Sequence, residues 1–145
     1  AKPIIDILIG LPSIEQLNDI IDPITSLGYT YIRKFEQVAP NRRFFILFDS
    51  FNQKLIDYND NFPSDNQLRK FHVHVFEHNS CDWIRHIALK DYLRFHDSEM
   101  NAYKSLKYDL LKKDFKDTLD YSEAKSGFLI DLEKKALNWY NNKSL

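Results

Sequence analysis

Alternating hydrophobic and polar positions predict a chain that begins with β-strands and ends with helices. The apolar run of residues 4–9 ends at a glycine, which predicts a buried strand in the middle of a sheet. Alternation places Asp6 and Leu8 on one face of this strand and the isoleucines at positions 5, 7 and 9 on the other. A buried carboxylate is costly unless it is paired, protonated or bound to a metal ion, so Asp6 needs a partner.

The same reasoning predicts the remaining elements. Apolar residues at helical spacing predict one helix from its N-cap, Ser13, to Gly28, its C′ residue, with a kink or split at Pro23. Three further strands are predicted over residues 29–35, 43–48 and 71–76, with a polar loop over 49–70. Three helices are predicted over residues 83–96, 99–115 and 122–140, with Ser98 and Ser122 as caps.

This order of elements predicts an α+β fold with a mixed or antiparallel sheet. We expect a single domain over residues 1–145, with a sheet part at about 1–78 and a helical part at about 79–145. A net charge of −1 gives no overall attraction to nucleic acid or a membrane surface. The three glycines argue against a glycine-rich phosphate loop.

One cysteine, Cys81, excludes an internal disulfide and favours the reducing cytoplasm. No apolar run is long enough to cross a bilayer. The expected protein is therefore cytoplasmic, without a membrane or nucleic-acid partner. Its many aromatic residues leave self-association open as a homo-oligomer.

Two histidines give the first candidate chemistry. His72 and His74 alternate on the strand of residues 71–76, so both rings project from the same face. If this strand lies beside the first, Asp6 completes a cluster that suits Mn²⁺ or Zn²⁺ better than Mg²⁺, which prefers oxygen ligands. The alternative is that both rings form hydrogen bonds on a half-exposed sheet face.

Basic residues give candidate anion ligands. Arg42 and Arg43 must face opposite sides at the start of a strand, and one of them is placed to hold a phosphate or carboxylate. Lys107 and Lys125 each follow a tyrosine by four residues, which puts lysine and tyrosine on one side of a helix. This spacing suggests a groove that faces an anion, and the alternative is a solvated helix surface.

An ordered series of motifs runs along nearly the whole chain. In the first half they are Ala1-Lys2-Pro3-Ile4-Ile5-Asp6-Ile7, Leu27-Gly28-Tyr29, Arg42-Arg43-Phe44-Phe45 and His72-Val73-His74-Val75. In the second half they are Trp83-Ile84-Arg85-His86, Lys90-Asp91-Tyr92-Leu93-Arg94, Tyr103-Lys104-Ser105-Leu106-Lys107 and Tyr121-Ser122-Glu123-Ala124-Lys125. In combination this series resembles the GrpB family, a bacterial group placed in the nucleotidyltransferase superfamily.

The resemblance implies a nucleotidyltransferase-like fold, with a small mixed sheet, a helix packed behind it and a C-terminal part of three helices. It also implies transfer of a nucleotide from a nucleoside triphosphate to an acceptor, supported by acidic residues that hold divalent ions. Asp6 matches the first acidic residue, and His72 or His74 occupies the place of the third. Two departures argue against activity: Leu8 replaces the second carboxylate, and the Gly-Ser segment expected upstream of Ala1 is absent from the sequence.

The leading hypothesis is therefore a GrpB-type nucleotidyltransferase with Asp6 as its catalytic carboxylate. Asp6, His72 and His74 are expected to bind a divalent ion, either Mn²⁺ or Mg²⁺, with Zn²⁺ as an alternative. The residues expected to meet phosphate oxygens of a nucleotide or phosphorylated small molecule are Lys2, Arg43, Lys107 and Lys125. Two other hypotheses stay open: an inactive nucleotide- or protein-binding module, favoured by Leu8, and a metal-dependent hydrolase that uses the histidines.

Overall fold

The computed structural model describes residues 4–49, 68–112 and 118–143. They fall into two compact units, which we call the sheet unit (Ala1–Trp83) and the helical unit (Ile84–Leu145). Strands lie in the sheet unit and long helices make up the helical unit, so the predicted α+β class is confirmed. Most of the predicted loop over residues 49–70 lies outside the described residues.

A four-stranded mixed sheet forms the centre of the sheet unit. Its strands are β1 (Ile5–Leu11), β2 (Thr30–Tyr31), β3 (Arg43–Phe48) and β4 (Arg69–Glu77). The order across the sheet is β1-β4-β3-β2, with β1 parallel to β4 and the other pairs antiparallel. The prediction that the first strand is central is wrong for the described strands, because β1 lies at the edge. Its apolar residues reflect core packing on one face: Ile7 and Ile9 pack inward, whereas Ile5 is 55% exposed.

One face of the sheet packs against short helical segments. The predicted helix over residues 13–28 is in fact a 3₁₀ turn, Ile14–Leu17, followed by α1, Ile21–Ser26. Ser13 is the N-cap of the first segment, as predicted, and accepts a hydrogen bond from the backbone N–H of Glu15. Gly28 takes a positive φ of 92° just after α1, which a residue with a side chain rarely adopts. The buried core on this face consists of Leu17, Ile24, Phe45, Val73 and Val75.

The opposite face of β3 is also buried. The predicted second strand over residues 29–35 shortens to β2, and Arg33–Gln37 forms a 3₁₀ helix instead. This segment brings Phe35 against a second cluster made of Ile32, Phe44, Ile46 and Phe48. Since β3 is covered on both sides, its residues are almost all buried, which accounts for its nearly continuous apolar sequence. The neighbouring positions on β4 on this face are His72 and His74.

Three helices follow the sheet, as predicted: α2 (Cys81–Phe95), α3 (Asp97–Lys112) and α4 (Thr118–Lys143). The buried core of the helical unit consists of Ala88, Tyr92, Leu93, Leu132 and Ala136. Ser98 and Ser122 lie inside α3 and α4, so the prediction that they cap these helices is wrong. Among the described residues, no helix combines the length and the apolar character needed to cross a membrane.

Candidate metal centre

Strand register brings the three predicted ligands together. The parallel pairing of β1 with β4 sets Asp6 opposite His72 and Leu8 opposite His74. Residues of the same parity share a face of the sheet, so the carboxylate and both imidazoles project from the same side. On the other flank of β4, the antiparallel pairing sets Phe44 opposite His74. The site is therefore built on three adjacent strands rather than on loops.

The carboxylate of Asp6 lies between the two rings. Its Oδ1 is 3.3 Å from Nδ1 of His72 and 3.3 Å from Nε2 of His74. One ligand atom from each of the three residues lies within 4.8 Å of the others. The expectation of a buried carboxylate is wrong, because the Asp6 side chain is 67% exposed on the edge strand while each imidazole is 17% exposed. The rings thus form the floor of the cluster and the carboxylate its solvent side.

The imidazoles keep Asp6 ionised. Hydrogen bonds from His72 and then His74 lower the pKa of the Asp6 carboxyl group far below its usual range, and partial burial opposes them more weakly. Nδ1 is the ring atom of His72 that is turned to the carboxylate. Within the described part of the chain, Nε2 of the same ring is buried without a hydrogen-bond partner. An ionised carboxylate beside two imidazole nitrogens is a donor set that binds divalent cations.

An aromatic wall orients the histidine rings. The Phe44 ring lies 5.2 Å from that of His72 and 4.8 Å from that of His74, measured between centroids. Phe44 is itself 6% exposed and belongs to the apolar cluster on this face. Packing of this kind restricts ring rotation and lowers access of water from one side, which supports metal ligands in a fixed geometry.

The distances and donor types fit one transition-metal ion. In a tetrahedral zinc site with bonds of about 2.0–2.1 Å, neighbouring ligand atoms lie roughly 3.3–3.4 Å apart. Both separations from Asp6 are 3.3 Å, and all three ligand atoms lie within 4.8 Å of one another. Two nitrogen ligands suit Zn²⁺ or Mn²⁺ better than Mg²⁺. Leu8 stands on the same face beside His74 and has no ligand atom, so β1 does not supply the second carboxylate of a two-metal set at this position.

Arg43 does not belong to this cluster. It faces the opposite side of β3, where Nε and Nη2 donate to Oδ1 of Asn18 at 3.1 and 2.8 Å. Its Nη1 donates to the carbonyl of Pro40 at 2.8 Å, and the residue is 8% exposed. These contacts give Arg43 a structural role outside the cluster, and its predicted contact with phosphate stays a prediction. Arg42 is the arginine on the histidine side, with Cζ 5.4 Å from the centroid of Phe44.

The other predicted phosphate ligands lie elsewhere. Lys107 and Lys125 are brought together in the helical unit, with Nζ atoms 5.0 and 5.9 Å from the centroid of the Tyr103 ring. Lys2 lies outside the described residues. Sequence reasoning missed Arg42 as the arginine of this face, although its even spacing from Phe44, just before β3, was visible.

Fold and site together define a mixed α+β protein with an Asp-His-His cluster at the edge of its sheet. A family model described as GrpB protein matches residues 1–135. The chain belongs to the GrpB family, which confirms the assignment predicted from its motifs.

Relatives of known sequence and structure agree with this assignment. The chain is 29% identical over 144 residues to the UPF0157 protein YqkA of Bacillus subtilis, covering 99% of this chain and 36% of the relative. It is 28% identical to the glutamate-rich protein GrpB of Alkalihalophilus pseudofirmus, covering 91% of this chain and 68% of the relative. The crystal structure of GrpB from Enterococcus faecalis matches with a TM-score of 0.69 and 28% identity, over 97% of this chain and 73% of that one. The chain therefore spans part of the length of each relative.

Proposed function

We propose that Asp6, His72 and His74 bind one divalent transition-metal ion and that the chain uses this centre in nucleotidyl transfer from a nucleoside triphosphate. The observation that carries the proposal is the placement of Oδ1 of Asp6 3.3 Å from a nitrogen of each histidine. The reaction type comes from the resemblance to the nucleotidyltransferase superfamily. The geometry of the three side chains supports the metal site.

Each residue has a defined part in this proposal. Asp6 supplies the anionic ligand on the solvent side, where a substrate phosphate has access, and the two imidazoles supply neutral ligands from below. When bound, a divalent ion neutralises charge on phosphate oxygens. Arg42 rests on Phe44 beside the cluster, and its guanidinium is a candidate for a bidentate contact to a phosphate.

A second candidate is metal-dependent hydrolysis. The observation that favours it is Leu8, because this residue supplies no carboxylate for a second metal ion. A single metal ion with three protein ligands and an accessible side is typical of sites that activate water. Leu8 also favours a third candidate, a module that binds a nucleotide or a protein without turnover. A cytoplasmic location and self-association stay predictions from composition.

The first experiment measures metal binding. The 145-residue chain is stripped with a chelator and titrated calorimetrically with Zn²⁺ and Mn²⁺. We expect one site, which Asp6→Asn and His74→Gln weaken. The matched controls, Asp19→Asn and His78→Gln, change an exposed acid and an exposed histidine of the same unit and should bind as the unchanged chain does. Equal affinity in site and control variants would contradict the proposed ligands.

The second experiment identifies the reaction. The metal-loaded chain is incubated with ATP and a mixture of small hydroxyl compounds as acceptors, and products are separated by chromatography. Pyrophosphate with a nucleotidylated acceptor supports transfer, whereas pyrophosphate with free AMP, or ADP with phosphate, supports hydrolysis. ATP binding without any product supports the binding module. Retained turnover in Asp6→Asn would contradict every metal-dependent candidate.

A further inference from the structure

We propose that the groove between α3 and α4 binds a nucleoside monophosphate or a similar phosphate ester of a flat ring, with the phosphate held by Lys107 and Lys125. The groove lies wholly within the helical unit. The inference rests on side chains of these two helices and does not depend on the metal centre or on its reaction.

The first observation is that two lysines converge on one tyrosine. Their Nζ atoms lie 5.0 and 5.9 Å from the centroid of Tyr103, Lys107 from the same helix and Lys125 from α4. Among the described side chains, no carboxylate forms an ion pair with either lysine. Two ammonium groups near one ring make this part of the groove positively charged, which favours an anion there. A phosphate accepts hydrogen bonds from both.

The second observation is an aromatic surface that leads from the lysines into a cavity. The rings of Tyr103 and Phe128 are nearly parallel, with an interplanar angle of 4° and centroids 6.1 Å apart. Phe128 also lines a cavity of about 380 Å³, together with Glu99, Asp131, Leu132, Lys134 and Lys135. This volume is within the range of small-molecule sites, roughly 300–1,000 Å³. A flat ring in the cavity contacts Phe128 while its phosphate reaches the lysines.

Charged groups of both signs lie at the far end of the groove. Glu99, Tyr103 and Lys107 are four residues apart and share one side of α3. The Glu99 carboxylate accepts a hydrogen bond from Nζ of Lys135 at 2.8 Å and one from the hydroxyl of Tyr92 at 3.4 Å. Asp131, Lys134 and Lys135 also line this end, so it offers both acceptors and donors to the polar edge of a base, while the phosphate is assigned to the two lysines beside Tyr103.

The test uses AMP as the probe, and EDTA is added to remove divalent metal ions from the metal centre. Binding to the 145-residue chain is measured by calorimetry for the unchanged chain, for the double variant Lys107→Met/Lys125→Met and for Lys104→Met. Lys104 is an exposed lysine of α3 next to Tyr103 and serves as the matched control. We expect the double variant to bind AMP roughly tenfold more weakly or worse, and the control to bind it normally. Circular dichroism checks that the helices are intact.

Further outcomes separate this site from the metal centre. Phe128→Leu should weaken AMP binding more than binding of inorganic phosphate, because phosphate does not use the ring surface. Asp6→Asn should leave AMP binding in EDTA unchanged. No AMP binding at millimolar concentration, equal affinity in the double variant and the control, or a loss of AMP binding in Asp6→Asn would each overturn the inference. A failure of metal binding alone leaves it intact.

Discussion

In the sheet unit, backbone pairing positions the candidate ligands, whereas in the helical unit long side chains carry charge into a groove between two helices. Asp6, His72 and His74 reach one point because β1 and β4 pair in a fixed register. Lys107 and Lys125 reach Tyr103 through flexible stems from different helices. Substitutions should therefore have larger and more local effects in the sheet unit, and smaller effects that depend on salt in the helical unit.

The largest expected effect is on the sheet core. Phe45 is 0% exposed and packs in the cluster that supports the face of the sheet opposite the histidines. Phe45→Ala should lower the free energy of unfolding by about 3–5 kcal/mol, because it removes a buried ring and leaves a cavity. Urea unfolding followed by far-UV circular dichroism measures this. A loss under 1 kcal/mol would mean that this cluster does not support the sheet.

The next largest effect is on the metal centre. His74→Gln should weaken Zn²⁺ binding by roughly a hundredfold, because a neutral imidazole ligand is lost from a set of three. Lys107→Met, in the other unit, should leave Zn²⁺ affinity unchanged. Calorimetric titration compares the two. If both substitutions weaken binding equally, the contrast between the units is wrong.

Arg43 provides a smaller, purely structural effect. Arg43→Met should lower the free energy of unfolding by about 1–3 kcal/mol, because Asn18 and the carbonyl of Pro40 lose their donors. Zn²⁺ affinity should not change, since this side chain faces away from the histidines. Arg42→Met should show the reverse, with small loss of stability and weaker binding of ATP to the metal-loaded chain. The pair is compared by urea unfolding and by ATP titration.

The smallest effect concerns acid stability of the helical unit. The ammonium group of Lys135 lowers the pKa of Glu99. Stabilisation by such a carboxylate is present above its ordinary pKa and is lost as the pH falls through the lowered value. Lys135→Met should raise the pKa of Glu99 and make stability depend less on pH on the acid side. NMR titration of the Glu99 carboxyl carbon measures this, and an unchanged pKa would contradict the pairing.

Much of the sheet unit was predictable because strand alternation carries strong information. The third strand was predicted at the bounds observed for β3, Arg43–Phe48, since both of its faces are buried and its sequence is continuously apolar. The Asp6, His72 and His74 cluster required one further condition, that the first strand lies beside β4. The edge position of β1 was not predictable, because a strand with one covered face can be as rich in isoleucine as a central one.

Other features depend on contacts that spacing does not encode. Which arginine lies on the histidine side, Arg42 or Arg43, depends on the face that each side chain takes. Asn18, which is distant in sequence, accepts hydrogen bonds from Arg43 on the opposite face. The convergence of Lys107 and Lys125 depends on how α3 packs against α4. Ser122 was predicted to cap a helix because serine is common at that position, yet α4 begins at Thr118 and continues through it.

The most direct test of the metal centre is to follow the imidazole nitrogens by NMR while one equivalent of Zn²⁺ is added. The chain has five histidines, so the other three serve as internal controls. We predict that the resonances of Nδ1 of His72 and Nε2 of His74 shift together and saturate at one equivalent, while those of His78, His86 and His96 do not move. Shifts at the control histidines alone, or no shift at His72 and His74, would contradict the account.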